Sequence, residues 1–142
     1  MDEDEARLAR LNDFARSKHP GMVGVRLTRC DTEEVTGELV VTDEVIAGTG
    51  VLWAPVVITL ADWLCAAGTP LHMPEAASGF TTVELKTNFL GTAAAGQRVT
   101  GRATTAHVGR TTQVWDAEVR NADTDRAIAL FRCTQMILYP KS

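Results

Sequence analysis

The hydrophobic positions follow one period, then another, along the chain. Over residues 2–18, Leu8, Leu11, Phe14 and Ala15 recur at helical spacing, with acids in the first turn and Arg16 and Lys18 in the last, as the helix dipole favours. This predicts a short amphipathic lead-in helix. Beyond His19-Pro20-Gly21 the period becomes two: Val23, Val25 and Leu27 alternate with small or polar residues, and Val35, Gly37, Leu39 and Val41 do so again after Asp31-Thr32-Glu33, which predicts a hairpin. From Pro55 to Ala67 the chain is apolar on every side, with Pro55 at a plausible first helical position and Gly68 as a stop. Val56, Val57 and Ile58 would also suit a buried strand, but the length and the Leu60–Ala67 continuation favour a buried helix.

The remainder alternates again. Thr81, Val83, Leu85, Thr87 and Phe89 form one face against Thr82, Glu84, Lys86 and Asn88, and further strands are expected over 97–108, 111–121 and 126–139. Trp115, Ala117 and Val119 oppose Asp116, Glu118 and Arg120, the mark of an antiparallel sheet with one wet face. A sheet with one apolar face and a single long buried helix to cover it curls around that helix, so the fold class is α+β with the outline of a hotdog. Residues 1–142 then make a single hotdog domain, with 1–18 as its lead-in, and contain no repeat, linker or low-complexity tract.

Composition narrows the function. At 142 residues, 45% of them hydrophobic and 23% charged, the chain has the material for a real core. Its net charge of −4 comes without a basic stripe, which speaks against nucleic acid as a partner. The stretch from Val51 to Gly68 is broken by Pro55, Thr59 and Asp62, and the N-terminus is acidic where a signal peptide would be basic, so a cytoplasmic protein that does not enter a membrane is expected. Cys30, Cys65 and Cys133 fit neither a disulfide framework nor a thiolate metal site, and Cys65 reads as core. His19, His72 and His107 lack metal-ligand spacing, Gly48-Thr49-Gly50 lacks the rest of a dinucleotide motif, and Ser17 and Ser78 lack a nucleophile elbow. No metal is expected.

Asp62 stands out as the one charged side chain within the apolar helix. Either a backbone amide or an arginine from the sheet satisfies it, or it is a desolvated carboxylate that serves as a general base on water or as a nucleophile. Such chemistry on a carbonyl also needs donors for the developing oxyanion, and free amides at the helix start supply them; Pro55 has no N–H, which leaves Ala54. Eight residues separate Ala54 from Asp62, about 12 Å of helical rise, so the two act on one carbonyl only if they come from different subunits. Thr82 is either an ordinary exposed strand residue, grouped with Glu84, Lys86 and Asn88, or a water-positioning hydroxyl.

Leu60-Ala61-Asp62, followed by Thr82-Val83-Glu84-Leu85-Lys86-Thr87-Asn88-Phe89-Leu90, resembles the PaaI-like branch of the hotdog acyl-CoA thioesterases, related to the 4-hydroxybenzoyl-CoA thioesterases, over about residues 20–138. The resemblance implies a homo-oligomeric acyl-CoA thioesterase, a dimer or dimer of dimers, with coenzyme A as part of the substrate and no separate cofactor. It also implies Asp62 as catalytic carboxylate, Ala54 as oxyanion amide, Thr82 as the hydroxyl of the following strand, and Arg110, Thr111 and Thr112 near the CoA nucleotide. Many members read His-Gly-Gly where this chain has Trp53-Ala54-Pro55, and Asn where it has Ala47. Trp53 and Trp63 are candidates for the acyl pocket. A non-catalytic acyl-CoA binding protein and an enoyl-CoA hydratase or dehydratase are the competing readings; the second generally uses a histidine near the helix start, where this chain has Trp53.

Overall fold

In a computed structural model, which describes residues 1–141, the alternating segments join into one antiparallel sheet of six strands. The elements run α1 (Glu3–Ala15), α2 (His19–Met22), β1 (Arg26–Cys30), β2 (Val35–Val40), α3 (Ala54–Gly68), β3 (Gly79–Phe89), β4 (Arg98–Val108), β5 (Thr112–Asn121) and β6 (Arg126–Leu138). The spatial order is β1-β2-β4-β5-β6-β3, so β3, which follows the helix, crosses to the far edge of the sheet. Short 3-10 turns precede and follow the α3 region, at Asp43–Val45 and Thr69–His72.

The lead-in helix is shorter than its periodicity suggests. Asp2 caps it by accepting from the Glu5 amide, and Glu5 accepts in return from the Asp2 amide, a capping box that fixes its start. It ends at Ala15 because the chain turns there and His19-Pro20 open the separate helix α2, leaving Arg16 and Lys18 outside the last turn. The first strand starts three residues later than alternation predicts. Gly24, at φ +94°, and the bond from the Val25 amide to the Pro20 carbonyl keep Val23 and Val25 out of the ladder.

α3 lies on the concave side of the sheet. Leu60 and Leu64 are fully buried there, each contributing roughly 1.5–3 kcal/mol by burial. Their close approach depends on Gly37 and Gly101, which face each other across β2 and β4: a Cβ on either would stand 2.9 or 2.8 Å from a methyl of Leu64. The convex side is charged and self-neutralised, with Arg26 and Arg98 on Glu38, Arg102 and Arg29 on Glu34, and Arg132 on Asp116. The arginines hold the Glu38 and Asp116 carboxyls below the usual range, but exposed pairs of this kind contribute little to stability.

The two sheet edges differ. On β1, the Asn12 side chain from α1 accepts from the Leu27 amide at 2.8 Å and donates to the Leu27 carbonyl at 2.9 Å, closing the edge where the strand bulges. On β3 no described residue plays that part. The strand is eleven residues long and leaves Val83, Leu85 and Phe89, with the adjoining Leu90, 43–59% exposed.

β3 also corrects the expected facing of its residues. Thr82 pairs with Gln135 and Glu84 with Thr134, so Val83 is the extra residue of a bulge and the alternation changes sides at that point. Thr82 therefore shares the helix-facing side with Leu85, Thr87 and Phe89, opposite the buried Gln135, Cys133, Phe131 and Ala129. It does not group with Glu84, Lys86 and Asn88.

Candidate active site

The central helix is not buried all round, as its composition suggested. Val56, Val57, Leu60, Ala61, Leu64 and Cys65 face the sheet and core. Thr59 and Trp63 lie toward the N-terminal helices, where Thr59 meets His19 at 3.0 Å and Trp63 stacks on Phe14 at 6.5 Å between centroids. A third flank, formed at helical spacing by Ile58, Asp62 and Ala66, is left half-open.

Asp62 sits in the middle of that flank. Its Oδ1 is buried without a hydrogen-bond partner, and no arginine or lysine among the described residues pairs with it, so the amide or arginine that would have made it a satisfied core residue is missing. Burial pushes its pKa above the ordinary carboxylate value. Cys65, one turn on, is fully buried with Cys133, and the hydrogen-bonding contact between the two thiols, together with burial, raises its pKa well above normal, which makes it inert core.

Ala54 is the first helical residue, with Trp53 as N-cap, one position earlier than Pro55 alone would suggest. The incoming segment is tied down by bonds from the Leu52 amide to the Ala93 carbonyl and from the Trp53 amide to the Val45 carbonyl, whereas the Ala54 N–H takes no backbone partner among the described residues. The helix start opens on a cleft of about 350 Å³ lined by Ala47, Leu52, Trp53, Ala54, Val57 and Phe89, among others. A larger depression, about 500 Å³, lies on the charged convex side among Arg98, Glu38, Arg102 and Glu118, away from the helix.

Thr82 lies at the other end. Its hydroxyl donates to Gln135 Oε1 at 2.7 Å, and Gln135 pairs in turn with Gln113 on β5. Gln113 donates to the Thr69 carbonyl at 3.2 Å and accepts from the Trp115 indole at 2.9 Å, which fixes this row against the C-terminal end of α3. Both glutamines are fully buried. Neither was singled out from the sequence, although each occupies the apolar parity of its strand, Gln113 with Trp115 and Ala117, Gln135 with Phe131 and Cys133, and a polar residue in that position is the readable signal.

The remaining candidates do not converge. Trp53 is 55% exposed at the helix start and Trp63 is packed under α1, so the two tryptophans do not line one pocket of this subunit. Arg110 and Thr111 form the tip of the β4–β5 hairpin, held by the Tyr139 hydroxyl donating to the Arg110 carbonyl and the Ile137 amide donating to the Thr111 carbonyl. Thr112, at the start of β5, adjoins Gln113, so this tip is at the Thr82 end of the sheet and far from the subunit's own Ala54.

This geometry, an antiparallel sheet around one long helix, has known counterparts. A profile of the thioesterase superfamily matches residues 49–128, the segment from the cleft through α3 and β3 into β6. The chain belongs to the thioesterase superfamily. A 1,4-dihydroxy-2-naphthoyl-CoA hydrolase from Listeria monocytogenes is 27% identical to this thioesterase over 112 residues, covering 79% of the chain and 89% of the relative. A mutant thioesterase from Pseudomonas aeruginosa superposes with a TM-score of 0.86 at 26% identity, covering 94% of each chain. The E. coli PaaI protein from the phenylacetic acid degradation operon shares the fold, with a TM-score of 0.79 at 19% identity over 94% of each chain. The thioesterase is thus a hotdog protein and a thioester hydrolase.

Proposed function

We propose that the protein hydrolyses acyl-CoA thioesters in a site shared between two subunits, with Asp62 as general base. The observation that carries this reading is the Asp62 carboxylate itself, with one oxygen desolvated and unpartnered on a flank that neither sheet nor lead-in helix covers. A structural role gives no return for that arrangement, and a base acting on water gains from it. Water adds to the thioester carbon as its proton passes to Asp62; the C–S bond then breaks and the proton goes to the leaving thiolate, leaving a carboxylic acid and free CoA. Because the thiol leaving group has a pKa of about 8–9, no strong acid is required.

The oxyanion donor comes from the partner. Within one subunit β3 runs opposite to α3, with Phe89 beside the cleft at Ala54 and Thr82 in the row that ends at Thr69. Pairing the uncovered β3 edge with its own copy, antiparallel about a two-fold, lays the Phe89 end of one strand along the Thr82 end of the other. The start of the partner's α3 then approaches from beyond Asp62, with the Ala54 N–H directed by the helix dipole. Thr82 holds the attacking water with Asp62, and Arg110 at the same end takes a CoA phosphate. The Listeria relative is named for a hydroxylated aryl-CoA, and a cleft edged by Trp53 and Phe89 suits a flat acyl group of that kind.

Thiol release from aryl-, short-, medium- and long-chain acyl-CoA esters, measured for the wild type beside Asp62→Asn, tests the reading. A base of this kind contributes about 10²–10⁴-fold, so turnover on some ester should fall by that factor in the variant. Turnover that survives Asp62→Asn unchanged would remove Asp62 from the mechanism.

A further inference from the structure

We infer that Gln135 is a positioning residue for hydrolysis: by accepting the hydrogen bond of the Thr82 hydroxyl, it turns the lone pairs of Thr82 toward the site and makes Thr82 an acceptor for the attacking water. This rests on the general-base reading above and adds to it a residue that is fully buried on β6.

Two glutamines sit side by side on the helix-facing side of β5 and β6, and their contrast is informative. Gln113 is satisfied at both ends, by the Trp115 indole, which can only donate, and by the Thr69 carbonyl, which can only accept. It is a structural tie between the sheet and the end of α3. Gln135 has the same burial, 0% exposed, yet only its oxygen is used; its Nε2 is buried with no partner. Leaving a buried donor unmet costs stability, so as a packing residue Gln135 is a poor choice beside Met or Leu. What it uniquely supplies here is an acceptor at 2.7 Å from Thr82 Oγ1.

An acceptor at that place settles what Thr82 can do. A hydroxyl has one proton and two lone pairs, and the Gln135 carbonyl oxygen takes the proton. Thr82 then has nothing to donate to a thioester oxygen, which leaves the oxyanion to backbone amide, and it has nothing to donate to Asp62. It can accept. A water lying between Asp62 and Thr82 donates one hydrogen bond to the carboxylate, which takes that proton as the water attacks, and the other hydrogen bond to Thr82 Oγ1, which points an oxygen lone pair at the thioester carbon. The bulge at Val83 is what brings Thr82 to this side of the strand, within reach of Gln135.

The test is a double-mutant cycle in kcat on the best acyl-CoA ester, with Thr82→Val, Gln135→Met and both together, each checked for thermal midpoint and oligomeric state. Gln135→Met is near in shape and removes a donor that had no partner, so folding should survive. One misdirected hydrogen bond of about 1.4 kcal/mol corresponds to about tenfold in rate. Each single variant should lose about that factor in kcat with little change in KM, and the double variant should lose no more than Thr82→Val alone. Gln135→Glu, held neutral by burial and still presenting a carbonyl oxygen, should recover kcat to near the wild type. The inference is overturned if Gln135→Met turns over like the wild type, if its loss adds in full to that of Thr82→Val, or if Gln135→Glu is as slow as Gln135→Met. Should Asp62→Asn keep full turnover in the same assay, the general-base reading itself falls; an inactive Asp62→Asn beside a fully active Gln135→Met removes Gln135 alone.

Discussion

Gly68 lies directly beneath the indole of Trp115, where a Cβ would stand 2.4 Å from Cη2 and 2.9 Å from a methyl of Val35. Its backbone is right-handed helical, at φ −82° and ψ −23°, so replacing it with alanine at an open position would stabilise the helix by roughly 0.5–1 kcal/mol. Here the clash decides. Trp115 is 1% exposed, its indole is tied to Gln113, and neither it nor Val35 has room to move. Gly68→Ala should therefore destabilise the protein, by about 1–3 kcal/mol as for other overpacked cores, measured by denaturant titration; a rise in stability would show that the space under Trp115 is slack.

Asp62 links stability and turnover with opposite signs. A carboxyl whose folded pKa lies above its unfolded value favours folding at low pH, and that contribution is lost as pH rises through the folded pKa. Asp62→Asn should accordingly raise the thermal midpoint at neutral pH, with an advantage that shrinks on acidification toward the unfolded carboxyl value. Activity needs the ionised form, so the acid limb of the rate profile should have its midpoint above the ordinary carboxylate range and should vanish from whatever residual rate the variant retains. A variant less stable than the wild type at neutral pH would contradict the burial argument.

Ala54→Pro offers a test of the shared site. Proline is well tolerated at the first helical position, and Trp53 before it already has the extended φ −69° and ψ 132° that a residue preceding proline requires. The substitution removes the N–H and little else, so it should fold and be nearly inactive. Mixed with Asp62→Asn under conditions that exchange subunits, it should regain about a quarter of the wild-type rate, since half the dimers are mixed and each mixed dimer has one intact site. No recovery on exchange would place both groups in one subunit.

The β3 edge should behave as a subunit seam. Val83→Lys, at a position 52% exposed on the uncovered edge, puts an unpaired charge into the seam. Sedimentation should then show monomers whose secondary structure is unchanged, with turnover lost in step with dissociation. A stable oligomer with full activity would move the seam elsewhere.

Much of the fold was legible because its strands obey parity so strictly. Trp115, Ala117 and Val119 face inward as their alternation implies, and α3 follows from a run too long and too apolar to be a strand. The errors fall where a local bond overrides the period: Gly24 delays β1, and the turn after Ala15 ends α1 early. Thr82 was misplaced for a like reason, because a bulge inserts one residue into β3 without any glycine or proline to signal it. Asp62 was visible as a charge in an apolar helix. Gln135 was not, since a glutamine in a strand draws attention only when the parity of its neighbours is read with it.

The position of β3 governs the order in which the molecule can be completed. Among the described residues of one subunit its only strand partner is β6, and the Thr82–Gln135 bond joins residues 53 positions apart. A chain growing from its N-terminus makes the helix–sheet contacts of β1, β2 and α3 early, but β3, with its exposed apolar side chains, stays unpaired until the last strand has been made. Long-range closures of this kind are slow, and an unpaired strand is prone to stray association meanwhile. On the shared-site proposal, subunit joining and the assembly of the reaction site both wait on β6.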